Sequence, residues 1–360
     1  MDKLNNYAIV FICMLKDHYV IGACISAYAH SKFIKNKNID LVIMCDNYIY
    51  TKYNKLLSHY FNKVIKIKLT NYAEEDTYTY RSPVIKEKYS WMKYSPNKWK
   101  CLLLTDYDKI LFLDIDILPA TDTFYDIFNN NTPSFHFVKG TDHNFSKNCM
   151  QNSIMQFQIK EDNYKDFLNN IQMSIDGGMI LLSPNKNMYN EYSKFIIEEI
   201  KKIKNIPVII SGVDETSLLY FYKKKNIPLY QICYIYCLIP WENNTGSEIG
   251  YSYNFLSRIK PWVKPKFVMW TEEIIWKDIY NIMPKYENIQ ELYNKCLFEG
   301  YQEFIKYNNQ PKNKYYYLKI INNHPKLKYL KTIKDILYYE KKTISPDYGS
   351  LKLDLNKLLK

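Results

Sequence analysis

The chain has 360 residues, of which 47% are apolar and 24% charged, and its formal net charge is +12. That length exceeds the usual single core while the apolar fraction supports a real one, so one large domain with an addition is expected, and no apolar run reaches the length of a membrane span. Eight cysteines without CxxC spacing argue against a zinc site or a disulfide framework and fit a reducing compartment.

The N-terminal stretch MDKLNNYAIVFICML carries an acid, lacks a small-residue cleavage site and is too short in its apolar part for a signal peptide. It reads as a first strand, Tyr7 to Met14, of a cytoplasmic protein. Asp17 can cap the following helix, in which Val20, Ala23, Cys24, Ala27 and Tyr28 share one face. Leu41 to Cys45 is a second strand, Tyr53 to Phe61 a helix, and Val64 to Leu69 a third strand. Strands alternating with helices predict a doubly wound, mostly parallel α/β sheet. Asn71 to Asn97 has no period and reads as a loop or lid, and a helix from about Asn97 to Thr105 feeds the next strand.

That strand, in KILFLDIDILP from Lys109 to Pro119, carries the chemistry. Continued as an extended strand, it would aim Asp114 and Asp116 one way and Ile115 the other. Two carboxylates at one spot repel unless a hard divalent cation, Mn2+ or Mg2+, joins them, with a diphosphate supplying further ligands. A strand simply ending in solvated aspartates is the plain alternative. In open α/β sheets ligands sit beyond the carboxyl ends of strands, where this pair falls.

Asn129 to Gln172 reads as an insertion near the site. Asp176-Gly177-Gly178 predicts a turn or a close ligand approach before the strand Met179 to Ser183. A helix from about Asn187 to Lys204 follows, and Asp214 and Glu215 open another running to Lys225, where acids in the first turn also suit the helix dipole. Pro228 to Leu238 reads as a buried strand. Beyond Trp270 come amphipathic helix, with Leu327, Leu330, Ile333 and Leu337 on helical spacing, and a basic tail. From Lys306 onward there are 13 lysines against four acids. Such a tail suits an acidic partner or a peripheral membrane surface, or is simply a solvated face; no nucleic-acid-binding module accompanies it.

Taken in order, CMLKDHYVIGA, NKWKCLLLTDYDKILFLDIDIL, DGGMILLSP, GVDETSLLY and NFLSRIKPW resemble the glycogenin-like family 8 retaining glycosyltransferases of GT-A fold, from roughly Ala8 to Trp262. The resemblance implies a GT-A domain over 1–270, with a nucleotide-binding part to about 120 and an acceptor part after it, and a mostly helical basic extension over 271–360. It implies a UDP-sugar donor, with glucose, galactose or N-acetylglucosamine as the transferred sugar, a Mn2+ or Mg2+ cofactor, and a glycan, protein or lipid acceptor. A dimer is also consistent with it. Tyr19 would stack on the base, with Cys13, Leu15 and Lys16 around base and ribose. Arg81 and Lys98 would contact the donor, Asp114 the ribose and metal, and Ile115 the ribose. Asp116 would be the main metal ligand. Asp176 and Gly177 would meet the sugar hydroxyls, Asp214 and Glu215 the reacting centre beside Lys98, and Ser257 and Lys260 the nucleotide and its diphosphate.

Two positions depart from that pattern. Asn254 stands where the family usually places a metal-binding His, which predicts weaker metal binding, relaxed Mn2+ preference, or a binding or scaffold protein without turnover. Glu215 stands where Gln is common. Retaining transfer runs by front-face attack or through a covalent intermediate on a carboxylate, so Glu215 and Asp214 are candidate nucleophiles, and helix capping is the competing role for Glu215. An aspartyl-phosphatase of the haloacid dehalogenase type also opens on Asp-x-Asp. Its motif normally carries Thr or Val where Leu118 stands and lies near the start of the core, whereas this one lies about a hundred residues in.

Overall fold

The structure, a computed structural model, describes residues 6–16, 18–34, 37–73, 78–79, 91–119, 122–137, 152, 154, 164–170, 175–202, 206–207, 213–233, 236–237 and 252–254. Strand β1 (Tyr7–Cys13) leads into helix α1 (His18–Ile34). Strand β2 (Ile39–Cys45), helix α2 (Asn47–Tyr60) and strand β3 (Lys63–Lys66) follow. A short β4 (Tyr78–Thr79) and a 3-10 helix (Met92–Leu103) precede β5 (Lys109–Leu113) and β6 (Ile117–Pro119). A second 3-10 helix (Asp122–Asn129), β7 (Ser134–Phe137), α3 (Tyr164–Asn170), β8 (Ile175–Leu182) and α4 (Lys186–Lys201) come next. The last described elements are β9 (Ile206–Pro207), α5 (Val213–Lys224), β10 (Tyr230–Ile232) and β11 (Ser252–Asn254).

Seven strands form one sheet in the order β10-β7-β8-β5-β1-β2-β3. The pairs β1/β2, β2/β3, β1/β5 and β7/β10 are parallel, as strand–helix alternation predicts. Strand β8 is the exception and runs antiparallel to both β5 and β7. A strand buried on both faces has the same apolar pattern in either direction, so its sequence does not encode its sense.

Alternation along the strands sorts the core into two halves. Ile9, Phe11 and Cys13 of β1, Leu111 and Leu113 of β5, and Met179 and Leu181 of β8 face α1, α2 and the second 3-10 helix. Ala8, Val10, Ile110, Phe112, Ile180 and Leu182 face the first 3-10 helix, α4 and α5. Trp99, fully buried, sets its indole edge-on to Phe112 at 5.4 Å between ring centres. Burying such a side chain contributes roughly 1.5–3 kcal/mol, which fixes the first 3-10 helix to the sheet beside β5.

Several boundaries differ from the sequence expectation. Helix α2 begins at Asn47 rather than near Tyr53, because Asp46 caps it: its Oδ1 accepts the Ile49 N–H at 2.8 Å. The segment before β5 winds as a 3-10 helix from Met92, ahead of the predicted Asn97, with Pro96 inside it. Gly177 and Gly178 lie within β8, not in a turn ahead of it. The strand expected over Pro228 to Leu238 is limited to Tyr230–Ile232. The extension over 271–360 lies outside the described residues. Among the described residues no helix is long and apolar enough to cross a membrane.

Candidate functional site

Strand β1 has β2 on one side and β5 on the other, so the connections leaving the carboxyl ends of β1 and β5 diverge and leave a crevice. A cavity of about 150 Å³ lies there, lined by Ile12, Met14, Leu15, Lys16, Tyr19, Trp91, Lys98, Asp114, Ile115 and Asp116. One wall, mostly apolar and aromatic, includes Lys16; the other carries the Lys98 ammonium and two carboxylates around Ile115.

The first wall is held by an unusual loop. Leu15 has φ of 71°, a left-handed conformation that costs a non-glycine residue roughly 1–2 kcal/mol. Its N–H donates to Asp46 Oδ2 at 2.7 Å, and the other oxygen of the same carboxylate caps α2. One buried acid at the end of β2 therefore fixes both the helix start and the cavity wall.

The second wall is built differently from the sequence expectation. Strand β5 ends at Leu113, and residues 114–117 form a turn in which the Ile117 N–H donates to the Asp114 carbonyl at 3.1 Å. Strand alternation therefore does not apply: Asp114 and Asp116 converge because the chain turns, and Ile115 lines the cavity with them instead of facing away. The Asp114 N–H donates to the Gly178 carbonyl at 2.8 Å, which ties the turn to β8. The two acids differ in access, since the Asp114 side chain is 38% exposed and Asp116 is buried.

Lys98, from the first 3-10 helix, places Nζ 3.1 Å from Asp114 Oδ1 and 2.9 Å from Asp214 Oδ2. Burial by itself disfavours its charge, but Asp114 and Asp214, with Glu215 behind them, more than offset this and hold its pKa well above the usual lysine value. Burial likewise pushes Asp214 upward, and the Lys98 ammonium with a hydrogen bond from Glu215 brings it below the usual carboxylate value. For Glu215, burial and then the charge of Asp214 push the carboxyl well above its ordinary value, which favours the neutral acid. A neutral glutamic acid is nearly isosteric with glutamine, the residue the resembled family commonly has there.

Of the residues singled out from sequence, Leu15, Lys16, Tyr19, Lys98, Asp114, Ile115 and Asp116 meet around the cavity. The Cys13 side chain does not line it: alternation turns Cys13 into the core and leaves Ile12 and Met14 facing the crevice. Asp214 and Glu215 lie behind Lys98, both buried. Gly177 is packed against Glu215, where a Cβ would come 2.6 Å from Oε2 and 3.0 Å from its Cβ. Asp176 lies on β8 opposite His136, and Asn254 on β11 opposite Ile117, one residue from Asp116. Arg81, Ser257 and Lys260 fall outside the described residues. Trp91 and Asp46 escaped the sequence reading. Trp91 lay in a stretch without a period; the cue for Asp46 was its place directly after a strand and before a helix.

Among the described residues no three His, Cys, Asp or Glu side chains converge as a cation site. Asp114 and Asp116 offer hard oxygen donors on one cavity wall, and that donor set fits Mn2+ or Mg2+ when a diphosphate completes the shell.

No protein-family model matches the chain. An uncharacterized protein of Acanthamoeba polyphaga mimivirus is 24% identical over 201 residues, 54% of this chain. The match covers 62% of that relative, less than two thirds of its length. Among solved structures, the galactosyltransferase LgtC in complex with donor and acceptor sugar analogues is similar with a TM-score of 0.44 and 15% identity, covering 79% of this chain and 95% of that one. The glycosyltransferase GlyE of Streptococcus pneumoniae stands at 0.41 and 11%, covering 81% and 64%. Mouse xyloside xylosyltransferase 1 stands at 0.40 and 11%, covering 70% and 98%. At likenesses of this size the cavity and its side chains, rather than the neighbours, carry the function.

Proposed function

We propose that the protein is a metal-dependent glycosyltransferase that binds a UDP-sugar in the crevice beyond β1 and β5 and transfers the hexose with retention of configuration. The observation that carries this is a single cavity with aromatic and aliphatic side chains on one wall and Lys98, Asp114 and Asp116 on the other. A nucleotide has the same division, a flat base at one end and a polyanion at the other.

Tyr19 and Trp91 suit the base, and Leu15 and Ile115 suit the ribose. Asp114 and Asp116 would hold a divalent cation, which neutralises charge on a departing diphosphate. Lys98 adds a fixed positive charge at the same wall, stabilising negative charge that grows as the glycosidic bond breaks. Glu215, buried and favoured as the neutral acid, is a poor nucleophile, which leaves the Asp214 carboxylate as the candidate for a covalent intermediate and front-face attack as the other route. The acceptor is a glycan, protein or lipid hydroxyl. Cytoplasmic residence, and contact of the basic extension with an acidic partner or membrane surface, belong to the same proposal.

Calorimetric titration of UDP into the full chain, with and without Mn2+, tests it, repeated on Asp116→Asn. Metal-dependent binding that the substitution abolishes is the expected result. No binding in either condition would refute the nucleotide site and favour a scaffold role, for which Asn254 is the leading cause.

A further inference from the structure

We propose that the outward face of α2, together with the end of the edge strand β3, is a docking surface for a membrane leaflet rich in anionic phospholipid. This surface is separate from the crevice, and the proposal stands whether or not a nucleotide binds there.

Helix α2 buries Ile49, Tyr53, Leu56 and Leu57. On its other side Tyr48, Lys52, Lys55 and His59 recur at helical spacing, and all four are exposed. At 1.5 Å per residue they form a row roughly 16 Å long. Strand β3 closes the sheet beside β2 and has no strand on its far side among the described residues. Alternation turns Val64 and Lys66 toward the layer of α2, and Lys66 sets its ammonium 5.9 Å from the ring centre of Tyr50 on that helix. Three lysines thus share one face.

The sign of that face is uniform. Between Asp46 and Glu74 the chain has five lysines and no acid. Asp46 itself is buried and engaged by the Ile49 and Leu15 N–H groups. Of the five lysines, Lys63 is offset by Asp40 at 3.8 Å and is left out of the surface. Lys52 donates to the Tyr48 hydroxyl at 3.0 Å and stands 5.2 and 5.1 Å from the ring centres of Tyr48 and Tyr53, so two aromatic rings orient its charge.

A cationic face repels a second copy of a chain with net charge +12, and it repels the extension, with 13 lysines against four acids. Among anionic partners a leaflet fits best, because a straight outward row meets a plane of headgroups along its whole length. Tyr48, 49% exposed at one end of the row, is an amphipathic side chain of the kind that sits at headgroup level. Strands β1, β2, β3 and β5 run parallel, so the Tyr48 end of α2 and Lys66 lie at the sheet edge where the crevice opens. A leaflet docked there presents lipid hydroxyls on the crevice side of the molecule.

The test sediments the full chain with vesicles of phosphatidylcholine, alone or with about 30% phosphatidylserine. Wild type is compared with Lys52→Gln/Lys55→Gln/Lys66→Gln and with a control, Lys186→Gln/Lys194→Gln/Lys224→Gln, that removes the same charge from α4 and α5 across the sheet. All six lysines are exposed, so both variants should fold. Wild type and control should bind only the anionic vesicles, and the face variant should bind them about a hundredfold more weakly, at roughly a factor of five per lysine. Wild-type binding should also fade between about 0.1 and 0.5 M salt. Equal binding by the face and control variants would assign the effect to net charge or to the extension and overturn the proposal, as would a wild type that ignores anionic vesicles. Capture of a single-stranded RNA oligonucleotide but not of vesicles, lost in the face variant, would assign the surface to nucleic acid and likewise overturn it. UDP titration of the face variant should match wild type, and absence of UDP binding in both would sink the nucleotide reading while leaving the vesicle result to decide this one.

Discussion

Replacing Asp46 with Ala should damage the fold and the cavity together, because one carboxylate serves both. Its Oδ1 caps α2 through the Ile49 N–H at 2.8 Å, and its Oδ2 accepts the Leu15 N–H at 2.7 Å. Loss of an N-cap costs about 1 kcal/mol, and the part-buried Leu15 N–H left without its acceptor costs up to about 1–3 kcal/mol more. Leu15 then keeps its left-handed backbone with only the Lys16 N–H to Met14 carbonyl bond, at 2.9 Å, across it. The sum, about 2–4 kcal/mol, corresponds to a Tm lowered by roughly 4–16 °C in a domain of this size. Asp46→Asn separates the two roles: its amide oxygen can still cap α2, while its NH2 faces the Leu15 N–H as donor against donor. Stability should fall by about half as much, while on the proposed reading, in which the Leu15 loop holds base and ribose, nucleotide affinity falls as far as in Asp46→Ala. Thermal unfolding and UDP titration read the two effects. A Tm within about 2 °C of wild type for Asp46→Ala would refute the dual role, because two lost hydrogen bonds of this size cannot be silent.

His30 gives a pH-dependent prediction. It is fully buried beside Phe11 and Phe124, its Nδ1 is 2.9 Å from the Tyr125 hydroxyl, and burial, opposed weakly by the Ile117 backbone, lowers its pKa to about 3. The fold holds the neutral ring while the unfolded chain protonates near pH 6.5, so stability falls as pH drops below 6.5 and continues to fall toward pH 3. The loss is about 2 kcal/mol between pH 6.5 and 5, and chemical denaturation of His30→Gln at the two pH values should lack that component. Gly177→Ala should cost about 1–3 kcal/mol by thermal unfolding, since its Cβ would meet both the carboxyl and the Cβ of Glu215, and the latter cannot swing away. Glu215→Gln should fold and turn over normally if the neutral acid is the working form; loss of turnover with folding intact would reinstate a carboxylate role. With Asn254 on the strand beside Asp116, Mg2+ should support UDP binding within about tenfold of Mn2+, and activity with Mn2+ alone would contradict this.

Much of the architecture was encoded locally. Apolar runs of strand length at Tyr7–Cys13, Ile39–Cys45 and Lys109–Leu113, divided by helical periodicity, determined a parallel α/β core, because period and length are properties of the chain itself. The same pattern placed Asp114 and Asp116 at the carboxyl end of a buried strand, where open sheets bind ligands. What the sequence could not carry was direction and partnership. Strand β8 reads alike whichever way it runs, and only the ladder shows it antiparallel. Asp46 and Leu15 are 31 residues apart, and Lys98 and Asp214 are 116 apart, and each pair meets because separate elements pack on one sheet. Convergence of the two aspartates came from a turn that closes through one hydrogen bond, not from strand alternation. Burial then decided the protonation of Glu215, a property of its surroundings that no neighbour in the sequence specifies.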